Sequence, residues 1–582
     1  MTYDAEGRLT FRYFSIDYDA ISGIPSLIGQ SSTYEYGENG LISKETHDPG
    51  SSEQEIVYIY DNLNRIERVE RVCGPYPTFN YVTEYSYNQG DYYGYGENSS
   101  YLVDTYTSTV GSSTKNYYYE YDSRNNISSI TDSGVETTYT YDDLGQLTKE
   151  ETSKVTKNYI YDDAGNITTI KRTTYSSVSG EIMSYALIIP PLRPITTTIA
   201  LSYTDSEWGD LLTSYDGHTI TYDEIGNPLS YYNGSAYTFT WEGRRLVGAV
   251  NGSNTMSFTY DDNGIRTSKT VNGVKHTYHL NGSQIVAEEW GNKLIIYLYD
   301  ASGSPIGMMY RTTSYAAHIF DVFWFEKNLQ GDIVAVYDES GTKVVSYGYT
   351  NAWGIHNESY SNGGDTSGAQ YNPFRYRGYY YDADLGMYYL QSRYYDPNTC
   401  RFINADGYVS TGQGLTGYNM FAYCGNDPVN RIDPMGMWTI TISVSVDFTF
   451  FFVGISEAFS ISLDDDWNVV LQHSYSEPNY VNDNQTFHIG LSDMGMAVGL
   501  QTTNDDTVYD LEGNASYVGF SAGSGPFVGF DFVSSGHNPT KEGSKDNISG
   551  WQVCIGYGIG VDVHYKTTYT TTVFDFKTMR WD

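Results

Sequence analysis

Carboxylates are the most plentiful ionisable groups in this 582-residue sequence, with 71 Asp and Glu against 33 Lys and Arg, and their spacing decides what they can do. Many stand in a recurring Tyr-Asp pair followed by two residues and then Gly or Asn. A short carboxylate in that setting bonds the next backbone amides, and Gly or Asn tolerates positive φ, so these aspartates read as turn formers. Asp406 in FINADGY and Asp433 in PVNRIDPMGM sit beside Gly or Pro and, on their own residues, read as turns too. His473, His488, His537 and His564 fall in no His-x-x-x-His, His-Asn-His or His-x-Glu pattern and read as strand-surface or rim residues. Asp464, Asp465 and Asp466 before Trp467 look like a hairpin turn, and SAGSGPFVG at 521–529 lacks the lysine and following helix of a phosphate loop. Cys73, Cys400, Cys424 and Cys554 are too few and too dispersed for a disulfide framework or a Cys-x-x-Cys zinc site, so buried free thiols are expected. Neither a metal nor a cofactor is expected.

The elements that carry these residues are repeats. KNYYYEYDSRNNISSI at 115–130, TTYTYDDLGQLTKE at 137–150 and KNYIYDDAGNITTI at 157–170 are copies of one unit, which recurs near Tyr222 and Tyr260 and more weakly around Asp61. Aromatic or β-branched residues alternate with polar ones up to the Tyr-Asp pair, a turn follows, and a second short strand begins, which makes each unit a β-hairpin of about twenty residues. Such a hairpin buries one face and must stack on its neighbours in a continuous spiralling sheet. The 61 tyrosines suit that sheet, since each ring supplies buried area while its hydroxyl reaches a polar partner.

A formal charge of −38 argues against nucleic acid as a partner of the repeat sheet, because phosphate binding needs clustered Lys and Arg. SYALIIPPLRPITTTIAL at 184–201 is broken by Pro190, Pro191, Pro194 and Arg193, so it reads as an insertion loop or plug strand and not a spanning helix. DVFWFEKNLQGDIVAVYDESGTKVVSYGYT reads as two further hairpins turning at Gly331 and Gly341. The sequence opens inside a repeat at TYDAEGRLT with no signal peptide before it, and is expected to be the C-terminal portion of a longer product.

YYYDADLGMYYLQSRYYDPNTCRFINADGY and NMFAYCGNDPVNRIDPMGMW close the series. The repeats and the stretch from 317 to 437 together resemble the Rhs (YD-repeat) family with its Rhs repeat-associated core domain, which relates to insecticidal toxin-complex C components and teneurins. FWFEKNLQGDIVAVYDESG resembles the family's hairpin motif, and FRYRGYYYDADLGMYYLQSRYYDPNTCRFINAD resembles its core motif. The resemblance implies a hollow β-cage around a C-terminal toxin, and a core domain that cuts the toxin free as an aspartyl autoprotease. In the family the cut follows a Pro-x-x-x-x-Asp-Pro-x-Gly-Leu motif, and PVNRIDPMGM runs here from Pro428 to Met437. Carried over by position, the cut falls between Met437 and Trp438, Asp433 and Asp406 are the two carboxylates, and Arg393 in SRYYD is the accompanying arginine. Met437 replaces the usual leucine, and Gly407 follows Asp406 where many members have proline. Two carboxylates in one site do not both ionise easily, so one stays protonated as acid while the other activates water. An arginine beside them holds one ionised or stabilises an oxyanion.

After Trp438 the Tyr-Asp units stop and alternating strands of about eight to twelve residues follow, rich in glycine, which reads as a compact antiparallel barrel or sandwich. The pattern fits a membrane-active barrel or pore hairpin, a soluble toxin enzyme such as a nuclease, and a binding domain alike. The expectation is an all-β protein: a YD-repeat shell over 1–316, a shell-closing core over 317–437 and a toxin-like domain over 438–582. It would be secreted or on the cell surface, with a cognate immunity protein, an export machinery and a target-cell membrane or glycan as partners. The rival is a wall-associated YD-repeat surface protein that adheres and is not cut.

Overall fold

The computed structural model describes residues 2–4, 8–18, 26–48, 54–73, 79–90, 98–176, 193–312, 314, 320–361, 367–407, 417–436, 440–441, 456–463, 469–476, 495–503, 513–535, 548–575 and 580–581. Two compact units emerge, one made of residues 1–3, 9–409 and 419–444, the other of 4–8, 410–418 and 445–582.

In the first unit, strands from Thr2–Tyr3 to His218–Thr219 form a seventeen-stranded antiparallel sheet, and strands from Thr221–Tyr222 to His356–Tyr360 form a fourteen-stranded one. Hairpin chemistry explains this meander. Asp142 Oδ1 accepts the N–H groups of Leu144 and Gln146 at 3.0 and 2.9 Å, its Oδ2 accepts Gln146 Nε2 at 2.8 Å, and Gly145 turns with φ 80°. Asp61, Asp122, Asp162, Asp223 and Asp261 bond the amides two and four residues on in the same way. Asn64 and Asn125 take the left-handed position at φ 60° and 62° where other units have glycine.

The tyrosine before each aspartate stitches its hairpin to the preceding one. Tyr141 donates to the Ile127 carbonyl, Tyr161 to Leu147 and Tyr260 to Leu246, each at 2.7 Å and across fourteen residues. At each of these tyrosines the strand register shifts by a bulge, which sharpens the local twist. Four buried glutamates add long-range ties. Glu45, Glu150, Glu288 and Glu326 accept cross-strand hydroxyls from Tyr58, Tyr159, Tyr297 and Tyr337 at 2.6, 2.6, 2.8 and 2.8 Å. Each also accepts from a remote group: the Ala301 and Ala352 amides, the Tyr380 hydroxyl and the Ser108 hydroxyl, respectively.

The closing segment forms a small sheet of Tyr380–Asp382, Met387–Tyr389, Tyr394–Asp396 and Arg401–Phe402, whose tyrosines join one core with repeat residues from Val103 onward. Buried Asp382 binds Arg266 and Lys269 from the repeats. Strands Asp321–Lys327, Ile333–Asp338 and Lys343–Tyr349 turn at Gly331 and Gly341 as expected, and Cys400 and Cys424 are buried free thiols. Arg193–Ser202 pairs with Ile167–Ser176, while 184–192 lie outside the described residues.

The second unit contains an antiparallel six-stranded sheet in which Ile548–Asp575 pairs along Gly513–Ser535, Val469–Ser476 and Gly495–Thr503. Strands of 23 and 28 residues exceed the eight to twelve expected. SAGSGPFVG, with no Asn-Gly or Asp-x-x-Gly turn to interrupt it, continues as strand inside Gly513–Ser535. His473 and His564 lie on strands, whereas Asp464, Asp465, Asp466, His488 and His537 lie outside the described residues.

Candidate active site

Arg393 stands immediately before the strand Tyr394–Asp396, Asp406 four residues after Arg401–Phe402, and Asp433 immediately after Arg431–Ile432. The fold brings all three together. Arg393 Nη2 lies 2.7 Å from Asp406 Oδ2 and 3.7 Å from Asp433 Oδ2, and both aspartates are only 2% exposed. The guanidinium is held from every side: its plane rests 3.6 Å above the Phe402 ring, Nη1 donates to the Met420 carbonyl at 3.0 Å, and Nε donates to the Gly436 carbonyl. Burial draws the Arg393 pKa below the ordinary guanidinium value, against the opposing pull of Asp406 and Asp433.

Each carboxylate is oriented by its own backbone. Asp406 N–H donates to the Met420 carbonyl at 2.9 Å, the same oxygen that receives Arg393. Asp433 N–H donates to the Tyr379 hydroxyl at 2.9 Å, and Asp433 Oδ1 accepts Gly436 N–H at 2.7 Å. Ser392 adds a clamp on the chain that follows, with Oγ donating to the carbonyls of Met435 and Gly436 at 2.8 and 2.7 Å. At Gly436, φ is 72° and a Cβ would stand 2.8 Å from Ser392 Oγ and 2.9 Å from the Leu390 carbonyl, so the position requires glycine. At Gly407 a Cβ would meet nothing within 4 Å, so the space there does not require glycine.

Chemically, two buried carboxylates that share one cation suit a divided acid and base role. Met437 and Trp438 lie outside the described residues. Residue spacing missed Ser392, Phe402, Tyr379 and Met420. Ser392 had a signal in its adjacency to Arg393, whereas the 27 and 54 residues separating Met420 from Arg393 and Tyr379 from Asp433 carry none.

A meander of Tyr-Asp hairpins, stitched by tyrosine hydroxyls and closed by a buried aromatic segment, defines a YD-repeat protein. Residues 121–156 match the family described as RHS Repeat. The chain is 31% identical over 235 residues to the tRNA nuclease WapA of Bacillus subtilis (strain 168), a match covering 39% of this chain and 9% of that protein. It is 30% identical over 257 residues to double-stranded DNA deaminase toxin A of Burkholderia cenocepacia (strain H111), covering 39% of this chain and 17% of that one. The crystal structure of TcdB2-TccC3-Cdc42 superposes with a TM-score of 0.48 at 17% identity, covering 75% of this chain and 23% of that one. The chain carries an RHS repeat and is similar to these Rhs-type proteins, and it spans only a small part of their length.

Proposed function

We propose that this chain belongs to a polymorphic toxin in which the YD-repeat region holds a C-terminal effector, residues 438–582, and frees it by aspartyl self-cleavage after Met437. The observation that carries this reading is the convergence of Asp406 and Asp433 on one nitrogen of Arg393, with the Gly436 carbonyl held by the same guanidinium. Asp406, the closer to Arg393, is the ionised partner. It takes a proton from water as the oxygen attacks the Met437 carbonyl, and Asp433 gives its proton to the departing Trp438 nitrogen. Ser392 positions the chain that enters the cut through the Met435 and Gly436 carbonyls.

The names of the relatives, a tRNA nuclease and a DNA deaminase toxin, support an effector that acts on a target cell, in competition between bacteria or on a host. Such an effector requires an immunity protein in the producer and an export route, and places the protein outside the cell or on its surface. The test is a denaturing gel of the expressed chain beside Asp406→Asn and Asp433→Asn. Two fragments from the parent and one band from each variant support the proposal; an uncut parent favours the surface-protein reading and returns both aspartates to ordinary structural roles.

A further inference from the structure

One cross-strand row in the repeat sheet, far from the closing segment in sequence, sets a hydroxyl, an imidazole and a carboxylate at bonding distance. Ser32 is the register partner of Arg12 on one side and of His47 on the other. Residues directly opposite on antiparallel strands project to one face with Cβ atoms about 4.5–5.5 Å apart, so Arg12, Ser32 and His47 are neighbours in a line. Ser32 Oγ lies 2.8 Å from His47 Nδ1, and His47 Nε2 lies 3.0 Å from Glu45 Oε2. Glu45 is 0% exposed and held in place, with Tyr58 donating to Oε1 at 2.6 Å and the Ala301 amide to Oε2 at 2.8 Å. A carboxylate only accepts, so it takes the Nε2 proton of His47 and leaves the Nδ1 lone pair facing Ser32 Oγ.

The other buried glutamates show that the sheet does not need this relay. Glu150 and Glu326 bind their tyrosine and their remote partner, and among the described residues no imidazole bonds to either. Glu288 bonds His276 at 2.6 Å, but that ring stacks on Trp290, and its register partners are Lys269 and Trp290, not a serine. Only at Glu45 is the order hydroxyl, imidazole, carboxylate complete among these four. Arg12, Ser32, Tyr34 and His47 border an open recess of about 40 Å³ with Val286 and Leu298 in its wall, which suits a small acyl group.

We propose that Ser32, His47 and Glu45 form a second active centre, a serine-esterase triad for short acyl esters, with Arg12 facing the developing oxyanion. Nucleophile, base and orienting carboxylate follow one another as acyl transfer requires. Ser32 Oγ passes its proton to His47 Nδ1 while bonding the acyl carbon, and the carbonyl oxygen becomes an oxyanion beside the Arg12 guanidinium. The bond to the alcohol oxygen then breaks as Nδ1–H protonates it, leaving an acyl-serine. Water repeats the sequence: its proton goes to Nδ1, its oxygen bonds the acyl carbon, and Ser32 Oγ leaves with the proton as the free acid departs.

The experiment treats the full chain with a fluorophosphonate probe, maps the adduct by peptide mass, and follows p-nitrophenyl acetate hydrolysis beside Ser32→Ala and His47→Gln. The expected result is one adduct on Ser32 and hydrolysis above buffer. Ser32→Ala loses both, and His47→Gln labels about a hundredfold more slowly. Ser32→Ala removes a single oxygen from a half-buried position and is expected to keep the fold, so it decides the matter even if His47→Gln unfolds. Absence of a Ser32 adduct, or hydrolysis by Ser32→Ala equal to the parent's, overturns the assignment and leaves the row as a structural cross-strand network.

Discussion

Asp142 and Asp433 open the same four-residue pattern, Asp-x-x-Gly, and use it differently. In the repeat, Asp142 Oδ1 accepts two backbone amides and Gly145 N–H returns to the Asp142 carbonyl at 3.1 Å. In the closing segment, the glycine amide goes to the side chain instead, with Gly436 N–H donating to Asp433 Oδ1 at 2.7 Å. Both glycines take positive φ, 80° and 72°. What separates the two aspartates is their company. Asp142 is partly exposed, whereas Asp433 is buried beside an arginine already bound to a second carboxylate. A local pattern therefore sets a turn, and the residues folded against it decide whether its carboxylate can do chemistry.

That contrast is easiest to break at the carboxylates. Asp406→Asn or Asp433→Asn removes an acid or base and slows self-cleavage by about 10²- to 10⁴-fold, while Asp142→Asn leaves it unchanged, as gel time courses of the three variants show. Arg393→Met tests the shared cation: two buried carboxylates lose their partner, costing about 3–5 kcal/mol, read as a lower urea midpoint in an uncut background. Ser392→Ala sharpens the comparison, since it removes one hydroxyl bonded to the Met435 and Gly436 carbonyls and slows cleavage about tenfold, one hydrogen bond's worth. The smallest effect falls in the repeat, where Asp142→Ala frees two amides and costs about 1 kcal/mol of stability with no change in cleavage rate.

The repeat hairpins were legible because their chemistry is local. Asp, two residues and Gly suffice to place a turn, and alternation places the strands on either side. The tyrosine stitches were only half legible: a buried ring was evident, but its acceptor, such as the Ile127 carbonyl for Tyr141, belongs to the preceding hairpin. The glutamate ties were not legible at all, since Glu45 and Ala301 stand 256 residues apart and Glu326 and Ser108 stand 218 apart. At the site, Asp406, Asp433 and Arg393 came from a family resemblance and not from their own spacing, which allowed only turns. Tyr379 reaches the site through its side-chain hydroxyl, which accepts Asp433 N–H, and Met420 through a carbonyl that accepts both Asp406 N–H and Arg393 Nη1, contacts that only the fold sets. In the C-terminal unit, alternation placed the antiparallel strands but not their lengths, which reach 23 and 28 residues where eight to twelve were expected.

The most direct measurement of the central claim is the intact mass, under denaturing conditions, of the fragments released by the full chain. Self-cleavage at this site predicts one species ending at Met437 and another beginning at Trp438, both absent from Asp406→Asn. A single uncut mass, or a boundary elsewhere that persists in Asp406→Asn, contradicts it.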